Sequence, residues 1–472
     1  MKKPISLERV SLEQEVPLIT LPVKGKIPDW INGTLIRNGP SKFEAGDKKI
    51  HHWFDGLAML HAFNFNQGKV TYTNRFLRSE AYNQVFNKNS VAFLGFDCDP
   101  CRTIFKRFFT FFFPNKDEIH NANINVTKYA NKYVALTEIP LPVEFDLKTL
   151  ETKGVLHFSD RLPQDNCWET AHPHVSQEKR ESINYIVKFG RKGAYLIFKL
   201  PEGSATREEI AEIPAEKPSY MHSFSVTENY VILSEYPFVI NPIDILLKDV
   251  PFIENYHWKE SVGTHFLVIE KSSGKVVGRY KTVSFFGFHH VNAYEKDNEI
   301  IVDIVSYPDA KIVESLAEYG LGINDPFFPI PKLFRYKINL DNENVAIFPI
   351  SDCSFELPRI NGDYDGKPYN YVYGSDLSEI SSLSDRRCIY KLNVETQQYL
   401  SWSEAGCCPG EPVFVKSLDE QEEDNGVILC VVLDNNAKKS FLLVLDAKTF
   451  QEIGRADAPH HIPEGLHGQF FQ

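Results

Sequence analysis

Short runs of apolar and β-branched residues recur along the chain at 68–76, 133–138, 230–240, 265–270, 299–306, 427–433 and 441–446, each bounded by turn-forming residues. Such runs predict β-strands joined by hairpins. Sustained helical periodicity is scarce, so the predicted fold class is all-β.

A second pattern lies over the strands. Asp146, Thr149 and Gly154 recur in spacing as Glu270, Ser273 and Gly278, and again as Asp446, Thr449 and Gly454; Asn393 and Thr396 form a partial fourth copy. The copies start 124, 123 and 53 residues apart (270−146, 393−270, 446−393). One step of roughly 55 to 65 residues fits every interval, and four short strands with their loops fill such a step. That is the repeat of a propeller blade, and 472 residues hold about seven of them. The expectation is a seven-bladed β-propeller forming one domain over residues 1–472. A β-sandwich with chance likeness between hairpins is the alternative.

Composition narrows function more than fold. Hydrophobic residues at 43% and charged residues at 24% are ordinary, whereas 35 Phe and 21 Tyr are many, as expected if something aromatic is packed or bound. A formal charge of −12 excludes nucleic acid as the main partner, because a phosphate backbone selects a basic face. The amino terminus lacks the apolar run of a signal peptide, and no apolar stretch reaches the roughly 18 residues needed to span a bilayer. A cytoplasmic location is expected. The eight cysteines include one CxxC, Cys98 with Cys101, without a second pair at finger spacing, so reduced thiols are expected.

Four of the 15 histidines stand out by context. His172 lies in TAHPHV, His222 in MHSFSVTENYVIL, His289 in FHHVNAYE and His467 in LHGQF, separated by 50, 67 and 178 residues. These intervals are close to one, one and three blades. The innermost strands of a propeller line its axis, so one residue from each of several blades can point at a common centre. Four neutral imidazoles there suit Fe(II), Cu or Zn and leave a six-coordinate metal two open positions. Four unrelated histidines are the alternative.

The segments NGTLIRNGP, HHWFDGLAMLHAF, TAHPHV, MHSFSVTENYVIL, FHHVNAYE, GEPVFV and LHGQF, in that order from about residue 30 to 472, resemble the successive signature blocks of the carotenoid cleavage oxygenase family. CDPCR at 98–102 and LRSEAY at 77–82 resemble its animal branch, the β-carotene oxygenases and their retinoid-processing relatives. The resemblance implies a propeller with a helical and loop cap over one Fe(II). It assigns the ligands to His172 rather than His174, His222, His289 rather than His290, and His467. It places supporting glutamates at Glu138, Glu356 and Glu411, with Thr137 crowding the open side of the metal. It also implies O2 as co-substrate and oxidative cleavage of a carotenoid or apocarotenoid double bond to aldehydes, with central cleavage to retinal among the outcomes. Retinyl-ester isomerohydrolysis and stilbene cleavage are rival activities, and a metal-binding interaction propeller is the rival without catalysis. The chain departs from the family pattern at Glu464 and Leu466, where aromatic residues are usual, and at Ser176, where an acid is usual.

One further segment reads as a device for reaching an apolar substrate. In residues 101–114, Ile104, Phe105, Phe108, Phe109 and Phe112 share a helical face flanked by Arg102, Lys106 and Arg107. This is the pattern of an interfacial helix that dips into a membrane surface, and a helix packed on the propeller is its alternative.

Overall fold

The repeated turn closes the outer hairpin of successive sheets. The backbone N–H four residues after Asp146, Glu270, Asn393 and Asp446 donates back to the carbonyl of each, at 2.8 to 2.9 Å. That fourth residue is left-handed in every copy: Leu150 at φ 55°, Gly274 at 68°, Gln397 at 61° and Phe450 at 58°. A side chain at the first position secures the bend, as where Asp146 Oδ1 accepts from the Thr149 N–H at 2.8 Å. A fifth copy begins at Asn339, with Glu343 at φ 58°. Its Asn-rich sequence hid it from the spacing pattern, and it divides the interval of 123 residues into two blades.

The computed structural model describes residues 7–46, 48–50, 52–88, 121–164, 167–190, 193–242, 244, 252–320, 327–376, 387–418 and 422–472. The segment 101–114 and the pair Cys98 and Cys101 lie outside these residues. Seven antiparallel sheets of four to six strands succeed one another along the chain. They form the seven-bladed β-propeller that the repeat predicts. The ring is closed twice. Gly468–Phe471, from the carboxyl end, becomes the innermost strand of the first blade by pairing with Gly33–Lys42, while Val23–Gly25, from the amino end, pairs with Glu452–Asp457 at the outer edge of the last.

Stacking of one blade on the next buries both faces of the middle strands, which is why they read as continuous apolar runs rather than strict alternation. In Gly426–Asp434, Ile428, Leu429, Cys430 and Val432 are all fully buried. The innermost strands matter most for function, and two of them are broken. In the third blade Cys167–Glu169 and His174–Ser176 both pair with Glu181–Lys188, leaving 170–173 unpaired between them. In the seventh, Cys407–Pro409 and Val413–Lys416 flank a gap in the same way. A side chain in such a gap is free of the in-and-out alternation of a strand and can face the axis.

Candidate metal centre

All four histidines singled out above sit at a break or start of an innermost strand. His172 occupies the gap in the third blade, His222 precedes Ser225–Val226, and His289 and His467 come directly before His290–Lys296 and Gly468–Phe471. Their ligand atoms all lie within 4.8 Å of one another. His172 Nε2 is 2.9 Å from His222 Nε2, and His289 Nε2 is 3.2 Å from His467 Nε2.

Three carboxylates set the protonation of this group. His222 Nδ1 lies 2.6 Å from Glu138 Oε1, His289 Nδ1 2.6 Å from Glu356 Oε2, and His467 Nδ1 2.8 Å from Glu411 Oε1. Each carboxylate requires the proton on Nδ1, which leaves Nε2 a bare lone pair. Burial, then the neighbouring imidazoles, pushes His172 well below the usual histidine range. Burial likewise pushes His467 down to about 4, against the pull of Glu411. With Nδ1 of His289 turned to Glu356 and Nδ1 of His467 to Glu411, their Nε2 lone pairs face each other across 3.2 Å. That arrangement is repulsive unless a cation lies between them, so the donor set fits a metal ion.

Glu411 itself bonds the Gly468 N–H and faces two guanidiniums, Arg37 and Arg359. Burial works to raise its carboxyl, but Arg359, Arg37 and His467 overcome that and hold it far below the usual range. Glu356 is also held low, by His289 and by bonds from the Leu357 N–H and the Tyr307 hydroxyl, again against burial. Glu138 accepts from the Tyr220 hydroxyl at 2.8 Å. Among the described residues His172 has no such carboxylate; its backbone N–H donates to Thr170 Oγ1 at 3.1 Å. Thr137 is half-buried directly before Glu138.

Other histidines among the described residues serve the scaffold. His174 bonds Asp365 and the Phe224 carbonyl, and His290 bonds Ser225. His52 accepts from the Phe54 N–H at the start of a short 3-10 helix.

Above the metal group lies a cavity of about 670 Å³. His222, His289 and His467 form its floor, and Trp53, Phe54, Phe288, Ile312, Leu316 and Leu466 are among its walls. The helix Lys311–Gly320 covers one side, turning Ile312 and Leu316 inward. Leu357, in the left-handed region at φ 50°, lines the same space while its N–H reaches Glu356 Oε2 at 2.8 Å.

Sequence reading named the histidines and glutamates and missed their partners Arg37, Tyr220, Tyr307 and Arg359. Tyr220 carried a signal, standing two residues before His222 on a buried segment. The others reach the site across blades, with Arg37 374 positions from Glu411. If the glutamates orient the imidazoles, changing Glu138, Glu356 or Glu411 to Gln weakens metal affinity by roughly 10- to 100-fold, readable in a metal titration. Wild-type affinity in all three variants would reject that role.

Comparison with known proteins identifies the lineage. The description of the retinal pigment epithelial membrane protein family matches residues 7–472. The chain is 33% identical to β,β-carotene 15,15'-dioxygenase of Gallus gallus, covering 97% of this chain and 96% of that protein. It is 32% identical to the mitochondrial carotenoid-cleaving dioxygenase of Homo sapiens, with 96% and 88% covered. A mutant of the Synechocystis apocarotenoid oxygenase superposes with a TM-score of 0.86 at 24% identity, covering 99% of this chain and 98% of that one, and its cobalt-substituted form with 0.85. A propeller of the same architecture and full-length sequence likeness thus coincide, and the chain belongs to the retinal pigment epithelial membrane protein family, the family of carotenoid-cleaving oxygenases.

Proposed function

We propose that this protein is an Fe(II)-dependent dioxygenase that splits one double bond of a carotenoid or apocarotenoid into two aldehydes. The observation that carries this reading is the convergence of four imidazoles beneath an apolar cavity. His172, His222, His289 and His467 would hold the iron, Glu138, Glu356 and Glu411 would keep each Nδ1 protonated, and Thr137 would narrow the open side. Bound Fe(II) supplies the redox chemistry that ground-state O2 needs, and one O2 provides both carbonyl oxygens. Around it the protein excludes water. Trp53, Phe54 and Phe288 offer ring faces and edges to a polyene, with Phe54 and Phe288 edge to face at 6.2 Å. A long conjugated hydrocarbon gains roughly 25 cal/mol for each Å² it buries there.

Relatives named as carotenoid-cleaving dioxygenases support the substrate class. None of the described helices is long and apolar enough to cross a membrane. We place the protein in the cytoplasm, bound peripherally to membrane through residues 101–114. Phe327 and Ile330 support an apolar approach: they are 73% and 53% exposed and alternate with the cavity-lining Phe328, Pro329 and Pro331.

The test is incubation of iron-loaded protein with carotenoids, apocarotenoids, stilbenes and a retinyl ester, first without oxygen and then with 18O2. Aldehydes carrying the label, formed only after oxygen is admitted, are expected. Retinol release without oxygen, or no turnover of any polyene, would overturn the assignment.

A further inference from the structure

The three carboxylates behind the metal group are not equivalent. Glu138 and Glu356 each carry, besides their imidazole, a neutral phenol: Tyr220 at 2.8 Å and Tyr307 at 2.7 Å. Glu411 instead carries two cations. Arg37 bonds its Oε2, and Arg359 Nη1 lies 3.6 Å from its Oε1. The Glu411 side chain is 1% exposed, so these charges act through a medium that screens them far less than water. Both guanidiniums are anchored elsewhere, Arg37 on the Leu466 carbonyl at 2.9 Å and Arg359 on Gln469 Oε1 at 2.7 Å. A guanidinium is a permanent cation in proteins.

A carboxylate raises the donor strength of a histidine by drawing on its Nδ1 proton, and the draw grows with the negative charge left on the oxygens. Phenols leave that charge nearly whole; two guanidiniums spread and offset it. Among the described residues His172 has no carboxylate of its own, and its backbone N–H is bonded to Thr170 Oγ1.

We propose that Arg37 and Arg359 are positioning residues that tune the metal through Glu411, dividing the four histidines into an electron-rich pair, His222 and His289, and an electron-poor pair, His467 and His172. This rests on the four-histidine group holding iron. The consequence is a bias toward Fe(II). A trivalent ion demands more electron donation than His467 gives when Glu411 is neutralised by two guanidiniums, so the site resists oxidation between turnovers.

The experiment measures the Fe(III)/Fe(II) reduction potential of the iron-loaded protein by spectroelectrochemistry. Half-buried Arg359 is the residue to change, because fully buried Arg37 also secures the His467 loop. Arg359→Met lowers the potential, with Arg359→Gln as a second, polar variant expected to do the same. Arg359→Lys, which keeps the charge, stays near wild type, and Tyr307→Phe shifts less than Arg359→Met. The decisive arm is the double variant: in a Glu411→Gln background the added effect of Arg359→Met shrinks, because the two act through one bond. An unchanged potential in Arg359→Met and Arg359→Gln with iron retained overturns the proposal. So does a full shift in the Glu411→Gln background, which would mean that the cation acts directly. Wild-type protein that takes up no iron overturns the metal reading itself, a different outcome from either.

Discussion

Replacing His289 with Ala strips the protein of iron. Wild-type protein loaded without oxygen is expected to hold about one iron per chain, and the variant only a small fraction of that. Two effects add. The ion loses one of four donors, and Glu356, which bonds His289 Nδ1 at 2.6 Å, is left buried with an acceptor unmet. A buried charged group deprived of its partner costs more than a neutral bond, so the site's geometry loosens as well as its donor count. His172→Ala, His222→Ala and His467→Ala follow the same course. The contrast that makes the test specific is His174→Ala and His290→Ala, neighbours in sequence whose rings bond Asp365 and Ser225 instead of facing the group. Those two should keep their iron. Metal analysis after gel filtration reads the result, and wild-type iron content in His289→Ala would sink the ligand assignment.

The legible part of this molecule was whatever repeats along the chain or stands within a short recognisable block. The strand runs and the recurring Asp, Glu or Asn followed three residues on by Thr or Ser gave the blade period, because one local bond pattern closes each outer hairpin. The fifth turn escaped because Asn339 to Asn344 closes a similar bend with different residue types, Asn339 Oδ1 accepting from the Asn342 N–H and the Asn339 N–H donating to the Asn344 carbonyl. The histidines were visible because propeller symmetry converts their spacing in sequence into convergence in space. Arg37, Arg359, Tyr220 and Tyr307 act by pairing across blades, and nothing local to Arg37 says that Glu411 lies behind it. Glu464 shows the limit most plainly. Its departure from the family pattern was noticed, but its meaning required Glu8 and Arg387, 456 (464−8) and 77 positions away.

That buried cluster gives the last prediction: Arg387→Met destabilises the protein, and does so far more at pH 8 than at pH 5. Arg387 bonds Glu8 through Nη2, while its Nη1 lies 3.3 Å from Glu464 Oε1, and all three side chains are at most 6% exposed. Glu8 and Glu464 line a second cavity of about 490 Å³, together with Arg37 and Gly465. Two carboxylates thus share one guanidinium. Burial first, then the charge of Glu8, raises the Glu464 carboxyl to about 7, although Arg387 pulls it down. A carboxyl raised above its unfolded value of about 4.3 stabilises the fold below that value, and the benefit is lost as pH rises through about 7. Glu464→Gln, which mimics the protonated form, should therefore match wild type near pH 5 and exceed it at pH 8 by on the order of 2 kcal/mol. Arg387→Met removes a cation that contacts both acids and leaves two buried carboxyls competing to ionise. The cost at pH 8 is about 3 to 5 kcal/mol, as for other buried pairs broken from one side. At pH 5 protonation of Glu464 relieves much of it. Adding Glu464→Gln to Arg387→Met should recover part of the loss at pH 8 and little at pH 5. Calorimetric melting of the four proteins at both pH values reads these differences, and differences that do not change with pH would remove Glu464 as their source.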